Sequence, residues 1–273
     1  MASRARKSKH GARQEKAGLR LGVAGAVILG ALAACCIAVV ALCTVWLQDL
    51  PDYNDASAYN YAEKTKVYAN DGTTLLAEFY LENRDPIDLD EMGTYVTKGT
   101  VATEDERFYQ HNGIDVLGIA RAVWVNVTHT GHEGASTITQ QFVRNTILAD
   151  EATESTLKRK VREAYIAIKL EESYSKDEIL QMYLNTINYG QGAYGIQAAA
   201  QRYYSKDAKD LTIAQAATLI GIPQSPTYNN PIDNPENCKN RRNLVLDRML
   251  TNGVITQEEH DAAQAEDLNL NVS

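Results

Sequence analysis

The stretch "ATEDERFYQHNG", residues 102–113, decides how the chain is read. Charged residues run from Glu104 to Arg107 and lead directly into Phe108, Tyr109 and His111. If the segment is helical, Glu104, Phe108 and His111 share one face at i, i+4 and i+7. An aromatic ring one turn away strips water from a carboxylate, and this poises it as a general acid or base. The competing reading is a salt-bridged helix end, with its acids paired to Arg107 and Phe108 turned into the core. One reading needs a cleft around Glu104; the other needs only solvent.

Upstream, residues 1–20 form a basic tail of net charge +6, while the whole 273-residue chain carries −8, leaving −14 for the remainder. Residues 21–48, "LGVAGAVILGALAACCIAVVALCTVWLQ", contain no charged side chain. As a helix this segment would measure about 42 Å at 1.5 Å per residue, more than the hydrocarbon core of a bilayer requires. A cleaved signal peptide would have a shorter apolar region, about 7–15 residues. The basic flank precedes the span, so the N-terminus is expected in the cytoplasm and residues 49 onward outside. Cys35, Cys36 and Cys43 lie in the span and Cys238 stands alone beyond it, which excludes an intrachain disulfide or a cysteine metal site in the exterior part.

Residues 49–92 read as a linker followed by a β-hairpin turning at Asp71-Gly72. From Met92 the signals are helical. Ser175 with Glu178, Thr212 with Gln215 and Thr256 with Glu259 match capping boxes, and Gly221 and Gly253 sit where helices would end in a left-handed residue. Over residues 155–172, Leu157, Val161, Ala164 and Ile168 predict an apolar stripe. The exterior is therefore expected to be mainly α.

Three further segments carry candidate chemistry. "GASTITQQFVRN", residues 134–145, sets hydroxyls and amides beside a small-residue turn, a pattern suited to sugar or phosphate oxygens and equally to a helix cap. "LKRKVRE", residues 157–163, is the densest basic cluster outside the tail, where an acidic domain could accept an anionic ligand. Its alternative is a salt-bridged face using Arg159 and Glu163. Arg241 and Arg242 form a smaller basic pair. The glycine-rich loop in residues 188–195 lacks the strand-then-helix setting of a dinucleotide site. Ser155-x-x-Lys158 and Ser173-x-x-Lys176 lack the partner motifs of a penicillin-reactive serine.

Taken in order, "EDERFYQHNG", "GASTITQQ", "RKVRE", "KDEILQMYLNTINYG" and "RRNLVLDRM" resemble the family 51 peptidoglycan glycosyltransferases over about residues 93–255. The resemblance implies a lysozyme-like, mainly helical domain over residues 93–273 with a membrane-associated jaw lobe, preceded by one transmembrane helix. It implies polymerisation of lipid II into β-1,4 glycan with inversion and release of polyprenyl diphosphate. By the same resemblance Glu104 is the general base and Glu163 the second motif carboxylate, with a divalent cation, Mg or Mn, placed at Glu163. Asp105, Phe108, His111, Thr137, Gln141, Arg144, Asn145, Arg159 and Lys160 then match positions around the substrate. Arg144 departs from the family's usual lysine, which keeps the charge but changes the hydrogen-bond geometry. The expected partners are lipid II, the growing lipid-linked glycan, the membrane and other wall-synthesis proteins, with no organic cofactor and no nucleic acid. The apolar run "IDVLGIARAVWVNV", residues 114–127, is the candidate lipid-facing segment of the jaw. The approach hairpin resembles that of bifunctional class A penicillin-binding proteins. Nothing up to Ser273 matches a transpeptidase, so a glycosyltransferase-only chain is expected, natural or truncated. A lysozyme-like hydrolase using two carboxylates, and a non-catalytic membrane scaffold, are the competing functions.

Overall fold

The structure, a computed structural model, describes residues 29–53, 65–73, 75–79, 83–128 and 134–272. The basic tail, residues 21–28 of the expected span and residues 54–64 of the expected linker lie outside the described residues. The chain divides into two compact units at Leu50/Pro51.

The first unit contains helix α1, Leu29–Trp46, whose 18 residues have a mean hydropathy of 2.4. The helix is long and apolar enough to cross a membrane, and none of its side chains is buried. Among the described residues of its own unit the helix has no core to join, so its apolar surface needs an apolar surrounding.

The second unit begins with the expected hairpin. Strands β1 (Thr65–Tyr68) and β2 (Leu75–Phe79) pair antiparallel. Asp71 Oδ1 accepts from the Thr73 amide at 2.9 Å in the turn, and Gly72 takes φ 70°. A second, parallel pairing joins β3 (Asn83–Arg84) to β4 (Ala193–Tyr194), so the glycine-rich loop serves as a docking strand. Arg84 lies 4.7 Å from the centre of the Tyr194 ring and donates to the Thr186 carbonyl.

The remainder is helical, as expected: α2 (Thr94–Glu104), α3 (Val116–Val127), α4 (Ile138–Asn145), α5 (Leu157–Ser173), α6 (Lys176–Thr186), α7 (Ile196–Tyr204), α8 (Ile213–Gly221), α9 (Pro235–Thr251) and α10 (Gln257–Ala265). The three expected capping boxes form at α6, α8 and α10, and a fourth, Thr137 with Gln140, opens α4. Gly253 has the expected positive φ of 68°. Gly221 does not: its φ is −74°, and the chain continues into a 3-10 turn over Ile222–Gln224. A Cβ at Gly221 would stand 2.9 Å from Arg241 Cγ, so the missing side chain there accommodates a neighbouring helix.

One core joins α8, α9 and α10 through Ala217, Ile220, Val245, Leu246, Met249 and Ala263. Phe108, Ile138, Phe142, Ile166, Leu170 and Ile179 are also buried, around α4, α5 and α6. The stripe expected on α5 is not the buried face: Leu157 is 76% exposed, while Arg159, Arg162 and Glu163 are buried beside Ile166, Ala167 and Leu170. Mutual pairing of charges makes that rotation tolerable.

Candidate active site

Helix α2 ends at Glu104, and Phe108 belongs to a separate 3-10 turn, Phe108–Gln110. The single face expected for Glu104, Phe108 and His111 therefore does not form. Phe108 is fully buried, with its ring edge-on to Tyr109 and His111, and the Lys176 ammonium sits 4.3 Å from its centre. Asp105 Oδ2 accepts from the Ile138 amide at 3.1 Å and meets His111 Nε2 at 2.9 Å, tying the end of α2 to the start of α4. Glu106 and Arg107 do not pair with each other. Arg107 makes a two-pronged bond to Asp115, and Glu106 pairs with Arg121 of α3. Thr137 donates to the Gly113 carbonyl at 2.7 Å while capping α4. The neighbours of Glu104 are thus consumed in staples that fix its backbone.

Glu104 itself opens into a cleft of about 520 Å³ whose lining includes Ser136, Thr137, Gln141, Arg144, Arg241 and Arg248. Gln141 Nε2 donates to Glu104 Oε2 at 2.9 Å, and Arg241 donates to Oε1 at 3.3 Å. The Tyr183 hydroxyl donates to Gln141 Oε1 at 3.1 Å, which fixes the sense of the amide and turns its NH₂ toward the carboxylate. Burial, and then the negative charge of Glu104, raise the Tyr183 phenol well above its ordinary pKa, so it remains a donor. A carboxylate at a helix C-terminus faces the negative end of the helix dipole, and Arg241 offsets that charge.

A second cluster lies on α5. Glu163 is fully buried, paired with Arg159 and, at 2.8 Å, with Lys160. Lys160 also donates to Ser136 Oγ at 3.0 Å, and Ser136 lines the cleft, so the cluster borders the cavity without opening into it. The cation expected at Glu163 meets a difficulty. Both carboxylate oxygens are already engaged by positive groups, and among the described residues no set of three His, Cys, Asp or Glu converges. These side chains do not fit a resident divalent cation.

Of the expected substrate positions, Asp105, Thr137, Gln141 and Arg144 line the cleft with Glu104. Arg159, Lys160 and Glu163 stand behind Ser136, Phe108 and His111 support the wall, and Asn145 is exposed at the end of α4. Reading by segment did not reveal the hydrogen bond of Tyr183 to Gln141 or the roles of Arg241 and Arg248. The detectable signal was the recurrence of Arg241, Leu244 and Arg248 at i, i+3 and i+7, one face of α9 that lines the cleft. Helix α3 buries Gly118 and Ala122 but leaves Val116, Leu117, Val123, Trp124 and Val127 exposed, Trp124 by 71%, so most of its apolar surface lies outside the core.

These features define a mainly helical protein with one positioned carboxylate in a cleft rimmed by guanidinium groups, suited to an anionic substrate. A family model described as Transglycosylase matches residues 71–250. The chain belongs to the transglycosylase family. It is 44% identical over 219 residues to penicillin-binding protein 1A of Vibrio cholerae, covering 80% of this chain and 26% of that protein. To penicillin-binding protein 1A of Escherichia coli it is 40% identical over 247 residues, covering 88% and 28%. To penicillin-binding protein 1F of Bacillus subtilis it is 43% identical over 198 residues, covering 72% and 27%. The chain thus spans about a quarter of the length of these curated relatives. A crystal structure of penicillin-binding protein 1A from Haemophilus influenzae superposes with a TM-score of 0.46 at 25% identity, over 77% of this chain and 21% of that one.

Proposed function

We propose that this chain polymerises lipid II, joining the anomeric carbon of a lipid-linked glycan donor to the 4-hydroxyl of an acceptor sugar. The observation that carries the reading is Glu104, held in the cleft by Gln141 and Arg241. Glu104 takes the acceptor hydroxyl proton as the oxygen attacks, the bond from carbon to the diphosphate oxygen breaks, and the diphosphate leaves as an anion. Arg144 lines the cleft and Lys160 borders it, where positive charge can meet that anion. Attack opposite the leaving group gives the inverted β-1,4 bond.

The hydrolase reading requires a second carboxylate free to act across the cleft. The other acids lining it are tied down: Asp105 to His111, Glu106 to Arg121, Asp115 to Arg107. Glu163 is enclosed by its two cations. Helix α1 anchors the chain with its N-terminus in the cytoplasm, and the apolar face of α3 dips into the outer leaflet where the lipid-linked substrate resides. Other wall-synthesis proteins are the natural partners of such an enzyme.

Full-length protein in detergent, incubated with labelled lipid II, should yield glycan polymer, and Glu104→Gln should lower the rate by about 10²–10⁴-fold. Cleavage of preformed glycan without polymerisation would establish the hydrolase instead. Undiminished polymerisation by Glu104→Gln would remove Glu104 as the base, and neither reaction would leave the scaffold.

A further inference from the structure

Arg241 and Arg242 are adjacent on α9, yet they do different things. Arg242 is fully buried and donates to the Glu266 and Gln264 carbonyls and to Asn243 Oδ1, stapling α9 to the segment around the end of α10. Arg241 has no such network among the described residues. Its hydrogen-bonded partner is Glu104, 137 residues earlier in the chain, and its Nε is buried without a partner. We infer that Arg241 is the positioning residue of the Glu104 carboxylate, and that Gly221 on α8 is the notch through which it reaches its place.

Four observations support this. A partly desolvated arginine paired with one carboxylate contributes little net stability, so the consequence of the contact is geometric. Arg241 fixes Oε1 while Gln141, itself fixed by Tyr183, holds Oε2. Each oxygen keeps a further lone pair for an incoming hydroxyl, so the carboxylate is held in one orientation and still able to accept. Burial lowers the Arg241 pKa, and the neighbouring charge of Glu104 opposes that change. Finally, a Cβ at Gly221 would sit 2.9 Å from Arg241 Cγ, too close for Arg241 to keep its path.

The inference rests on Glu104 being the base, so the experiment separates the two claims. Lipid II polymerisation kinetics are measured on full-length wild type, Arg241→Gln, Arg241→Lys, Gly221→Ala and Glu104→Gln, with thermal unfolding recorded for each. Arg241→Gln should lower kcat by about 10²-fold with KM changed by less than about threefold, because orientation and not substrate affinity is lost. Arg241→Lys should recover to within about tenfold of wild type, since charge returns without the planar fork. Gly221→Ala should lower kcat by roughly tenfold although every charged group remains and alanine favours the helix. Because Gly221→Ala and Arg241→Lys keep the buried charge, they carry the test if Arg241→Gln folds poorly. An unchanged kcat in Arg241→Gln or Gly221→Ala, or a loss confined to KM, overturns the positioning role. If Glu104→Gln is inactive while the Arg241 variants are not, this inference alone fails; an active Glu104→Gln removes the base assignment beneath it.

Discussion

Glu163→Gln tests whether the α5 carboxylate is structural as well as chemical. Gln keeps the shape of the side chain and one acceptor oxygen but removes the charge. At 2.8 Å, the Lys160 pair alone has a gross attraction of about 6 kcal/mol at an effective dielectric of about 20. Little of that is net, since the Lys160 side chain is 41% exposed and can return to water, leaving a contribution of about 1 kcal/mol or less. Arg159 is different: its side chain is 9% exposed and would be left buried without a counter-charge. Breaking a buried pair in this way costs about 3–5 kcal/mol, and the partial escape of Lys160 favours the lower end. At roughly 2–4 °C per kcal/mol for a unit of this size, the unfolding temperature should fall by about 6–12 °C. Far-UV circular dichroism of the full chain in detergent gives the measurement. Adding Arg159→Met removes the stranded cation and should recover most of the loss. A melting temperature within about 2 °C of wild type for Glu163→Gln, or no recovery in the double variant, would refute the buried triad.

Three other outcomes are expected. Gly113→Ala places a Cβ 2.6 Å from the Ile168 amide nitrogen at a φ of +78°, so a loss of roughly 3 kcal/mol should appear as a lower melting temperature, and a near-native melt would contradict the packing. His260 sits between Asp261 and Asp247, each 2.9 Å away, and its bonds to Asp261 first and Asp247 second raise its pKa. The folded state therefore gains stability below the unfolded value of about 6.5 and loses it as pH rises through the folded value. Both acids are solvent-exposed, so the wild type should lose only about 2–4 °C relative to His260→Asn over that range, and parallel curves would refute the clip. Trp46→Phe leaves Trp124 as the sole tryptophan, and in vesicles its fluorescence should be quenched by brominated lipid; an unquenched signal would place α3 in water.

Much of this protein was legible in its sequence because the signals are local. An uncharged apolar span, a hairpin at Asp71-Gly72 and three capping boxes each depend on residues within a few positions of one another, where backbone hydrogen bonds are made. The motif blocks likewise brought Glu104, Thr137, Gln141 and Arg144 to attention, and the structure gathers all four on one cleft. Where α2 stops was not legible, and so Phe108 was placed beside Glu104 when it belongs to the core. Periodicity on α5 selected Leu157 and Val161, whereas the fold turned Arg159 and Glu163 inward because each supplies the other's counter-charge. The neighbours of Glu104 were hidden further still, since Gln141 lies 37 residues away and Arg241 lies 137. Hydrophobic pattern and caps act along the chain and specify its helices. Whether a charge can be buried depends on what other segments bring to it, and only the tertiary structure decides that.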